Sequence, residues 1–402
     1  MISIKKTNIL QILLFILVLS SCQDKKKEPI VIKAEEPKNE LPVMKPRTNA
    51  LPKLSAEYIN SKRNAIDRFY KKNWPNNSMN GSFLVAKNGQ IIYEKYAGYT
   101  NFRTKDPITS TTPLHLASVS KVITATAVLK LIDAKKIGLD QKVNTILPEF
   151  PYPDVTVKTL LNHRSGMCHY AYFTDKKKVW DRHNTLTNQD ILDVMATKDI
   201  GLESRTDSRF SYCNTNYAIL ALIIEKVTKL SYKEAMNQMI FKPLGMTHTY
   251  VFDYDKDKKT AVPSYKGNRV QIGIDYLDAV YGDKNIYSTP RDLLKFDLAR
   301  NAPDFLSPEL LELVYTPFSN ERRGEKNYGL GIRMINWKSG QNLYYHNGWW
   351  HGNTSSYVTL RKENVTIIAL SNKYTTKTYQ VRKLSALFGN YPFKLNKFEK
   401  EE

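Results

Sequence analysis

Short hydrophobic runs near both ends of the chain predict two β-hairpins. Residues 83–86 and 91–93 are apolar runs separated by Asn88-Gly89, a strong signal for a tight turn between antiparallel strands. Residues 357–360 and 365–370 form a second pair of apolar runs around a polar turn. Both ends of the folded part of the chain therefore supply strands.

Helical patterns occupy the stretches outside and between these hairpins. Apolar residues recur at helical spacing at about 56–71, 187–195, 217–228 and 377–387. Strands do not alternate with helices throughout, as a doubly wound parallel sheet would require. We therefore predict an α+β fold, in which an antiparallel sheet is flanked by helices and carries an inserted all-helical lobe.

The first 22 residues have the pattern of an export signal. A basic start precedes an apolar run from Ile9 to Leu19, which is too short to span a membrane. The following Leu19-Ser20-Ser21-Cys22 resembles the bacterial lipobox, whose cysteine becomes lipidated. We predict a lipoprotein signal peptide over 1–22 with Cys22 as the lipid anchor; an ordinary signal peptide with an incidental cysteine is the alternative. The domain would then lie on the extracytoplasmic side of a membrane in the bacterial cell envelope.

The stretch after Cys22 predicts a linker followed by one domain. Residues 23–55 are rich in Lys, Glu and Pro, a composition that buries too little apolar surface to offset its chain entropy. We predict a disordered linker over 23–55. Residues 56–393 are near the upper size for one hydrophobic core, and we predict one composite domain there, or two interleaved lobes.

Charge and cysteine content narrow the function classes. The chain has 60 basic and 39 acidic residues, a net charge of +21, which is typical of proteins that meet polyanions. The basic residues are scattered, and an exported protein meets little nucleic acid, so we predict no nucleic-acid partner and leave attraction to anionic envelope material open. Cys168 and Cys213 could form a disulfide in an oxidising envelope or remain buried thiols.

A serine and a lysine one helical turn apart predict a nucleophile with its own base. Ser118 and Lys121 open a strongly apolar stretch, and side chains three positions apart lie on the same helix face. Burial disfavours the ammonium form of a lysine, which a proton acceptor requires. The spacing alone is weak evidence, because roughly one or two such matches arise by chance in a chain of this length, and Ser3 to Lys6 is another.

Two further polar elements follow along the chain. Tyr212 and Asn214 lie two positions apart before an apolar helix, so their side chains point to the same side of an extended loop. Farther on, His346, Gly348 and Trp349 end an apparent strand; a glycine lets a substrate approach the backbone, and the N–H beyond it could bind an oxyanion. Taken singly, each is better explained as structural, the first by a structural tyrosine and the second by an aromatic-rich turn.

In this order, Ser-x-x-Lys, Tyr-x-Asn and His-x-Gly resemble the active-site elements of the serine β-lactamase and penicillin-binding superfamily, in its class C β-lactamase and DD-peptidase branch. The resemblance covers about residues 56–390 and implies a β-lactamase/transpeptidase-like fold. Other segments that look like that family are 160–167, 243–246, 288–293 and 328–331.

The resemblance implies an acyl-enzyme mechanism. The sequence contains no metal-ligand cluster, no phosphate-binding glycine loop and no nicotinamide fingerprint, so we predict no cofactor. Ser118 would attack a carbonyl, and Lys121 and Tyr212 would form the proton relay. The backbone N–H groups of Ser118 and Trp349 would make the oxyanion hole. The substrate-binding residues would be Asn214, His346, Gly348 and Trp349.

The histidine triplet departs from the class C β-lactamase pattern, which has Lys-Thr-Gly or Lys-Ser-Gly at this point. The chain also contains Lys338-Ser339-Gly340, but its surroundings are typical of a hairpin turn, so we place this lysine triplet at the far tip of the sheet. Histidine is only partly cationic at neutral pH and would hold a substrate carboxylate less firmly than lysine. The departure therefore weakens the β-lactamase interpretation.

The sequence thus predicts an envelope-anchored serine hydrolase acting on a peptide, amide or ester. A DD-peptidase-like activity on D-amino-acid peptides is the leading interpretation, with a small-molecule esterase second and a β-lactamase third. A non-catalytic sensor that binds penicillin or wall fragments is the alternative from another class. The oligomeric state is left open.

Overall fold

The two predicted hairpins meet in one antiparallel sheet. We describe the fold from a computed structural model, over residues 40–319 and 324–395. The first hairpin, β1 and β2, turns at Asn88-Gly89, where both residues have positive φ as a tight turn requires. The last strand, β14, pairs with β1 in antiparallel register, with Phe83 opposite Ala369. The sheet has seven strands in the order β10-β11-β12-β13-β14-β1-β2. The predicted α+β fold is confirmed.

The strands of the described residues are β1 Gly81–Lys87, β2 Gln90–Ala97, β3 Tyr99–Asn101, β4 Asp106–Pro107, β5 Leu114–His115, β6 Tyr250–Val251, β7 Ser264–Tyr265, β8 Gln271–Ile272, β9 Ile286–Ser288, β10 Lys326–Tyr328, β11 Arg333–Asn336, β12 Asn342–Trp350, β13 Asn353–Leu360 and β14 Val365–Ser371. The α-helices are α1 Ala56–Asn73, α2 Ser120–Asp133, α3 Val157–Leu161, α4 Tyr170–Phe173, α5 Asn188–Thr197, α6 Thr215–Thr228, α7 Tyr232–Met236, α8 Tyr254–Asp257, α9 Pro290–Arg300 and α10 Pro308–Val314.

One face of the sheet is covered by the two ends of the domain. α1 begins at Ser55, whose hydroxyl accepts a hydrogen bond from the Tyr58 N–H at 3.1 Å, the usual N-cap arrangement. α1 packs on β2 and on a 3₁₀-helix, Lys377–Leu387. The helical pattern at 377–387 therefore forms the tighter 3₁₀ type of helix. This face and its coverings enclose an apolar cluster, the rear cluster, centred on Tyr70, Trp74 and Phe83.

The opposite face of the sheet carries the insertion between β2 and β10. α2, α3 and α5 pack around α6, which is buried along most of its length. The insertion is mainly helical but not all-helical, because β5, β9 and β6 form a three-stranded sheet and β7 and β8 form a two-stranded one within it. The nucleophile candidate Ser118 lies between β5 and α2, where the insertion meets the sheet.

The N-terminal predictions fall partly outside the described residues. Three predictions lie outside the described residues: the signal peptide over 1–22, the lipid anchor Cys22 and the first part of the linker. Residues 40–55 have no regular secondary structure but lie against the domain: Met44 is buried, and its N–H donates to the Met239 carbonyl at 2.7 Å. The prediction of disorder is therefore wrong for this part of the linker. Within the described residues no helix is both long and apolar enough to cross a membrane.

Candidate active site

The nucleophile candidate lies on a tight turn before α2. Ser118 belongs to a single 3₁₀ turn, Ala117–Val119, and α2 begins at Ser120. Ala117 has φ of 48°, a left-handed conformation that non-glycine residues rarely adopt. Its N–H donates to His115 Nδ1 at 2.9 Å. The turn therefore carries local strain that His115 helps to hold, and Ser118 projects from it.

Lys121 is buried and its amino group faces Ser118. The side chain is fully inaccessible to solvent, and Nζ donates to Ser118 Oγ at 3.1 Å and to the Asp283 carbonyl at 2.8 Å. The Ser-x-x-Lys spacing thus brings the two groups together although Ser118 precedes the α-helix. The predicted burial of Lys121 is observed.

Tyr212 completes this group from the loop before α6. Lys121 Nζ lies 5.2 Å from the centroid of its ring. The ring of His163 lies 4.3 Å away, centroid to centroid, and the guanidinium carbon of Arg333 lies 4.6 Å from the Tyr212 ring. The Lys121 amino group and the Arg333 guanidinium therefore flank the phenol. A phenolate formed there during proton transfer would be stabilised by both.

Asn214 lies at the start of α6, two residues beyond Tyr212. Its side chain makes no hydrogen bond that caps the helix. Its Oδ1 is buried and has no hydrogen-bond partner among the described residues. A buried acceptor without a partner is costly, and a substrate N–H could satisfy it. This geometry is compatible with the predicted role of Asn214 in substrate binding.

His346 lies on β12 beside Tyr212, with 6.2 Å between the ring centroids. Its Nδ1 lies 2.8 Å from the Asn347 carbonyl and its Nε2 lies 3.2 Å from the Tyr328 hydroxyl. Nδ1 must carry the proton, because a carbonyl only accepts. Burial, and the nearby cations Arg333 and Lys121, hold the pKa of His346 well below its usual value. The ring is neutral and both nitrogens are engaged, so the expected grip on a substrate carboxylate does not fit this geometry.

Gly348 allows β12 to approach the nucleophile turn. A Cβ at this position would lie 2.2 Å from Ser355 Oγ and 2.4 Å from the Leu116 carbonyl oxygen, which no side chain tolerates. The sequence predicted that a substrate would approach here. Instead, the segment that carries Ser118 occupies the space beside Gly348.

For Trp349, only the backbone N–H was predicted to act in the oxyanion hole. Its side chain is 62% exposed and its indole N–H donates to the His351 carbonyl at 2.9 Å. The Gly348 carbonyl accepts from the Tyr379 hydroxyl at 3.0 Å. In a planar trans peptide the next N–H points the opposite way, so the Trp349 N–H points away from Tyr379. Its role in an oxyanion hole with the Ser118 N–H stays a prediction.

The lysine triplet lies far from this group. Lys338, Ser339 and Gly340 form an exposed turn between β11 and β12. His346 is four residues further along β12 than the first strand residue, Asn342, a rise of about 13 Å. The structure therefore places the histidine triplet, and not the lysine triplet, beside Ser118.

His163 is a site residue to which the sequence assigned no role. Its Nδ1 accepts from the Cys213 N–H at 3.1 Å and lies 3.3 Å from the Asn216 side-chain nitrogen. Burial, and then Lys121, hold its pKa well below the usual value. This neutral ring packs on Tyr212 and fixes the loop that carries it. The sequence signal that could have identified His163 was the family-like segment 160–167, which contains it. No comparable signal pointed to Arg333 or His115.

Two cysteines and one cluster of acidic groups lie outside the group formed by Ser118, Lys121 and Tyr212. Cys168 and Cys213 are free thiols, and burial raises the pKa of each to about 11. Among the described residues, one group has the spacing of a metal site: Asp275, Asp278 and His351. His351 Nε2 already lies 2.9 Å from Asp278 Oδ2, so the histidine and aspartate pair with each other.

The fold and this group of a serine, a buried lysine and a tyrosine define a serine hydrolase. The family model described as Beta-lactamase matches residues 73–388, and the chain belongs to this family. Penicillin-binding protein 4* of Bacillus subtilis is 30% identical over 82% of this chain and 77% of its own length. Teichoic acid D-alanine hydrolase of Staphylococcus aureus is 27% identical over 69% of each chain. The crystal structure of a penicillin binding protein from Bacillus halodurans has the same fold, with a TM-score of 0.70 and 23% identity over 80% of this chain and 98% of that one.

Proposed function

We propose that this chain is an envelope-anchored hydrolase, tethered through Cys22, that uses Ser118 as a nucleophile to cleave D-amino-acid peptides or esters. The observation that carries the proposal is the hydrogen bond between the amino group of the fully buried Lys121 and Ser118 Oγ, at 3.1 Å. A serine hydroxyl needs an adjacent base to become a nucleophile, and the 3.1 Å contact puts Lys121 within the reach that proton transfer requires.

The proposed reaction has two steps. The Ser118 oxygen attacks the substrate carbonyl as its hydroxyl proton passes to the pair formed by Lys121 and Tyr212. That pair returns the proton to the leaving amine or alcohol as its bond to the carbonyl carbon breaks, which leaves an acyl group on Ser118. Water then attacks the ester carbon as its proton passes to the same pair. The pair gives that proton to Ser118 Oγ as the bond between Oγ and the acyl carbon breaks, which releases the acid and restores the serine hydroxyl. His163 and His346 are neutral and buried, so they act by holding Tyr212 in place.

D-amino-acid peptides are the leading substrate class. Two relatives are named for penicillin binding and for D-alanine hydrolysis, which supports a substrate with a D-alanyl unit. The neutral state of His346 argues against a firm lysine-like grip on a β-lactam carboxylate. We therefore rank a D-alanyl peptide above a β-lactam as the substrate.

A panel of substrates tests this proposal. Purified protein is assayed on a D-alanyl dipeptide, a short-chain nitrophenyl ester and a chromogenic cephalosporin, with Ser118→Ala as the matched variant. We expect the dipeptide to give the highest kcat/KM and Ser118→Ala to abolish turnover. Fast turnover of the cephalosporin alone would contradict the substrate order, and ligand binding without product release would support the non-catalytic sensor instead.

A cationic cavity beside Tyr212 favours a second candidate, a D-alanyl ester carried on an anionic polymer. The cavity has a volume of about 580 Å³, and its lining includes three basic residues, Arg209, Lys326 and Arg333; no acidic residue lines it within the described parts of the chain. Arg333 also contacts Tyr212, so an anion bound there would lie next to the reacting group. Phosphate groups bind to cationic side chains, and an arginine can hold a phosphate through two parallel hydrogen bonds.

Salt dependence and a double variant separate the two candidates. D-alanylated lipoteichoic acid and a neutral D-alanyl ester are compared in Arg209→Gln/Lys326→Gln, with the exposed Lys198→Gln as control. For the anionic polymer we expect KM to rise about tenfold in the double variant and with added salt, while the neutral ester is unaffected. Equal changes for both esters would remove this candidate.

A further inference from the structure

A second buried lysine lies behind Lys121. Lys284 is 2% exposed and its neighbour Asp283 is fully buried. Lys284 Nζ lies 3.6 Å from Asp283 Oδ1, without a hydrogen bond to that oxygen. Removing two charges from water costs several kcal/mol per ion. Such a pair is a poor way to gain stability, so its position calls for a functional explanation.

Tyr170 bridges the two charges. Its hydroxyl donates to Asp283 Oδ2 at 2.9 Å and accepts from Lys284 Nζ at 2.9 Å. Lys284 Nζ also donates to the Val280 carbonyl at 3.1 Å and lies 4.7 Å from the centroid of the Trp350 ring. The pair is thereby fixed from α4, from its own loop and from the end of β12.

A backbone group of Asp283 also contacts Lys121, the proposed base. The Asp283 carbonyl accepts from Lys121 Nζ at 2.8 Å, and this bond and the bond to Ser118 Oγ define where the amino group points. Any shift of the loop at Asp283 would therefore move Lys121 Nζ relative to Ser118.

We propose that Lys284 and Asp283, bridged by Tyr170, are positioning residues that aim Lys121 at Ser118 and set the pH range in which Ser118 reacts. This inference rests on the proposed function. The cation of Lys284 disfavours a second positive charge on Lys121, and the carboxylate of Asp283 favours it. The effects of Lys284 and Asp283 on a positive charge at Lys121 therefore oppose each other.

Several other ionisable groups contribute to the field around Lys284. Burial lowers the pKa of Lys284. The carboxylates of Asp283, Asp278 and Asp275 raise this pKa, and the charge of Lys121 lowers it. Two buried histidines face the same network: burial lowers the pKa of both His115 and His169 to about 4, and the charge of Lys284 makes a smaller contribution in the same direction. None of these groups changes between the variants proposed below, apart from the two members of the pair.

Opposite charge changes give opposite expectations. The second-order rate of Ser118 labelling by a fluorophosphonate is measured from pH 5 to 10 in wild type, Lys284→Met and Asp283→Asn. In Lys284→Met a cation near Lys121 is lost, so the acid limb of the profile should move to higher pH by about 0.5 unit or more. In Asp283→Asn an anion is lost, and the limb should move to lower pH.

Tyr170→Phe provides a milder test that keeps both charges. We expect its labelling rate to fall about tenfold, because the bridge that aims Lys121 is lost. Thr366→Val is the matched control: the Thr366 hydroxyl also donates to a buried carboxylate, that of Asp297, away from Ser118. Its labelling rate should equal that of wild type.

The outcomes separate the inference from the proposed function. Shifts in the same direction for both charge variants, or a fall in Tm with unchanged profiles, would assign the pair a structural role only. If neither charge variant folds, Tyr170→Phe decides, and a labelling rate within twofold of Thr366→Val would overturn the inference. Wild-type protein that is not labelled at any pH would overturn the proposed function and the inference with it.

Discussion

The two faces of the seven-stranded sheet bury different kinds of residue. On the rear face, Phe83 of β1 packs among Tyr70, Trp74 and Tyr93, with ring centroids 5.7 to 6.0 Å apart. On the site face, the neighbouring Leu84 belongs to the cluster shared with the helical insertion. That side also buries Lys121, Lys284, Asp283, His163 and His346.

The difference separates residues that stabilise the domain from residues that react. Apolar and aromatic packing contributes free energy without a desolvation penalty. Buried ionisable groups cost free energy unless each is paired, and they persist where the chemistry uses them. Changes on the rear face should therefore lower stability, and changes on the site face should alter reactivity or its pH dependence.

Phe83→Ala should produce the largest change in stability. The side chain is fully buried among aromatic rings, so we expect the free energy of unfolding to fall by about 3 to 5 kcal/mol. Denaturant unfolding measures this change. The rate of Ser118 labelling in the folded fraction should be unchanged; a labelling rate reduced tenfold or more would show that the two faces are coupled.

The histidines of the site face should make stability depend on pH. His163 and His346 have pKa values well below the usual 6.5, with burial as the main cause. Below pH 6.5 the unfolded chain binds protons that the folded chain does not, so stability falls as pH falls. Each histidine contributes up to about 1.4 kcal/mol per pH unit there.

His346→Gln isolates one of these contributions. The free energy of unfolding is measured between pH 5 and 7. In this variant its slope against pH should decrease by the amount that corresponds to about one bound proton. The matched control is His183→Asn, which removes a histidine whose side chain is 97% exposed and should leave the slope as in wild type. An unchanged slope in His346→Gln would mean that His346 is not held neutral in the folded protein.

Lys338→Ala should have the smallest effect. Lys338 is exposed at the hairpin tip between β11 and β12, where surface substitutions change stability by less than about 0.5 kcal/mol. We expect the labelling rate and the cephalosporin hydrolysis rate to match wild type within twofold. A tenfold loss of either rate would place Lys338 in the site and restore the β-lactamase interpretation.

Much of the fold was predictable because its signals are local. The turn at Asn88-Gly89, the hairpin around residues 361–364 and the helical pattern at 217–228 each depend on a few adjacent residues. The nature of the insertion was less predictable, since strands of two or three residues such as β5–β9–β6 leave no periodicity to detect. The packing of residues 40–55 depends on long-range contacts such as Met44 with Met239, which a composition rich in charge and proline conceals.

The site was predictable in part. Ser118 and Lys121 are three residues apart, so local spacing suffices to bring them together. His163, Arg333 and Lys284 reach the same group from separate elements, and only the tertiary structure joins them. The position of His346 was predicted. Its neutral state and the hydrogen bonds at both ring nitrogens depend on burial and on Tyr328, which the sequence does not reveal.

Locating the acyl adduct tests the central claim most directly. The protein is treated with a fluorophosphonate or a fluorescent penicillin, its intact mass is measured, and the adduct is mapped by peptide sequencing in wild type and Ser118→Ala, with the exposed Ser339→Ala as control. We predict one adduct per chain, on Ser118, present in Ser339→Ala and absent in Ser118→Ala. An adduct on another residue, or equal labelling of Ser118→Ala, would contradict the assignment of Ser118 as the nucleophile.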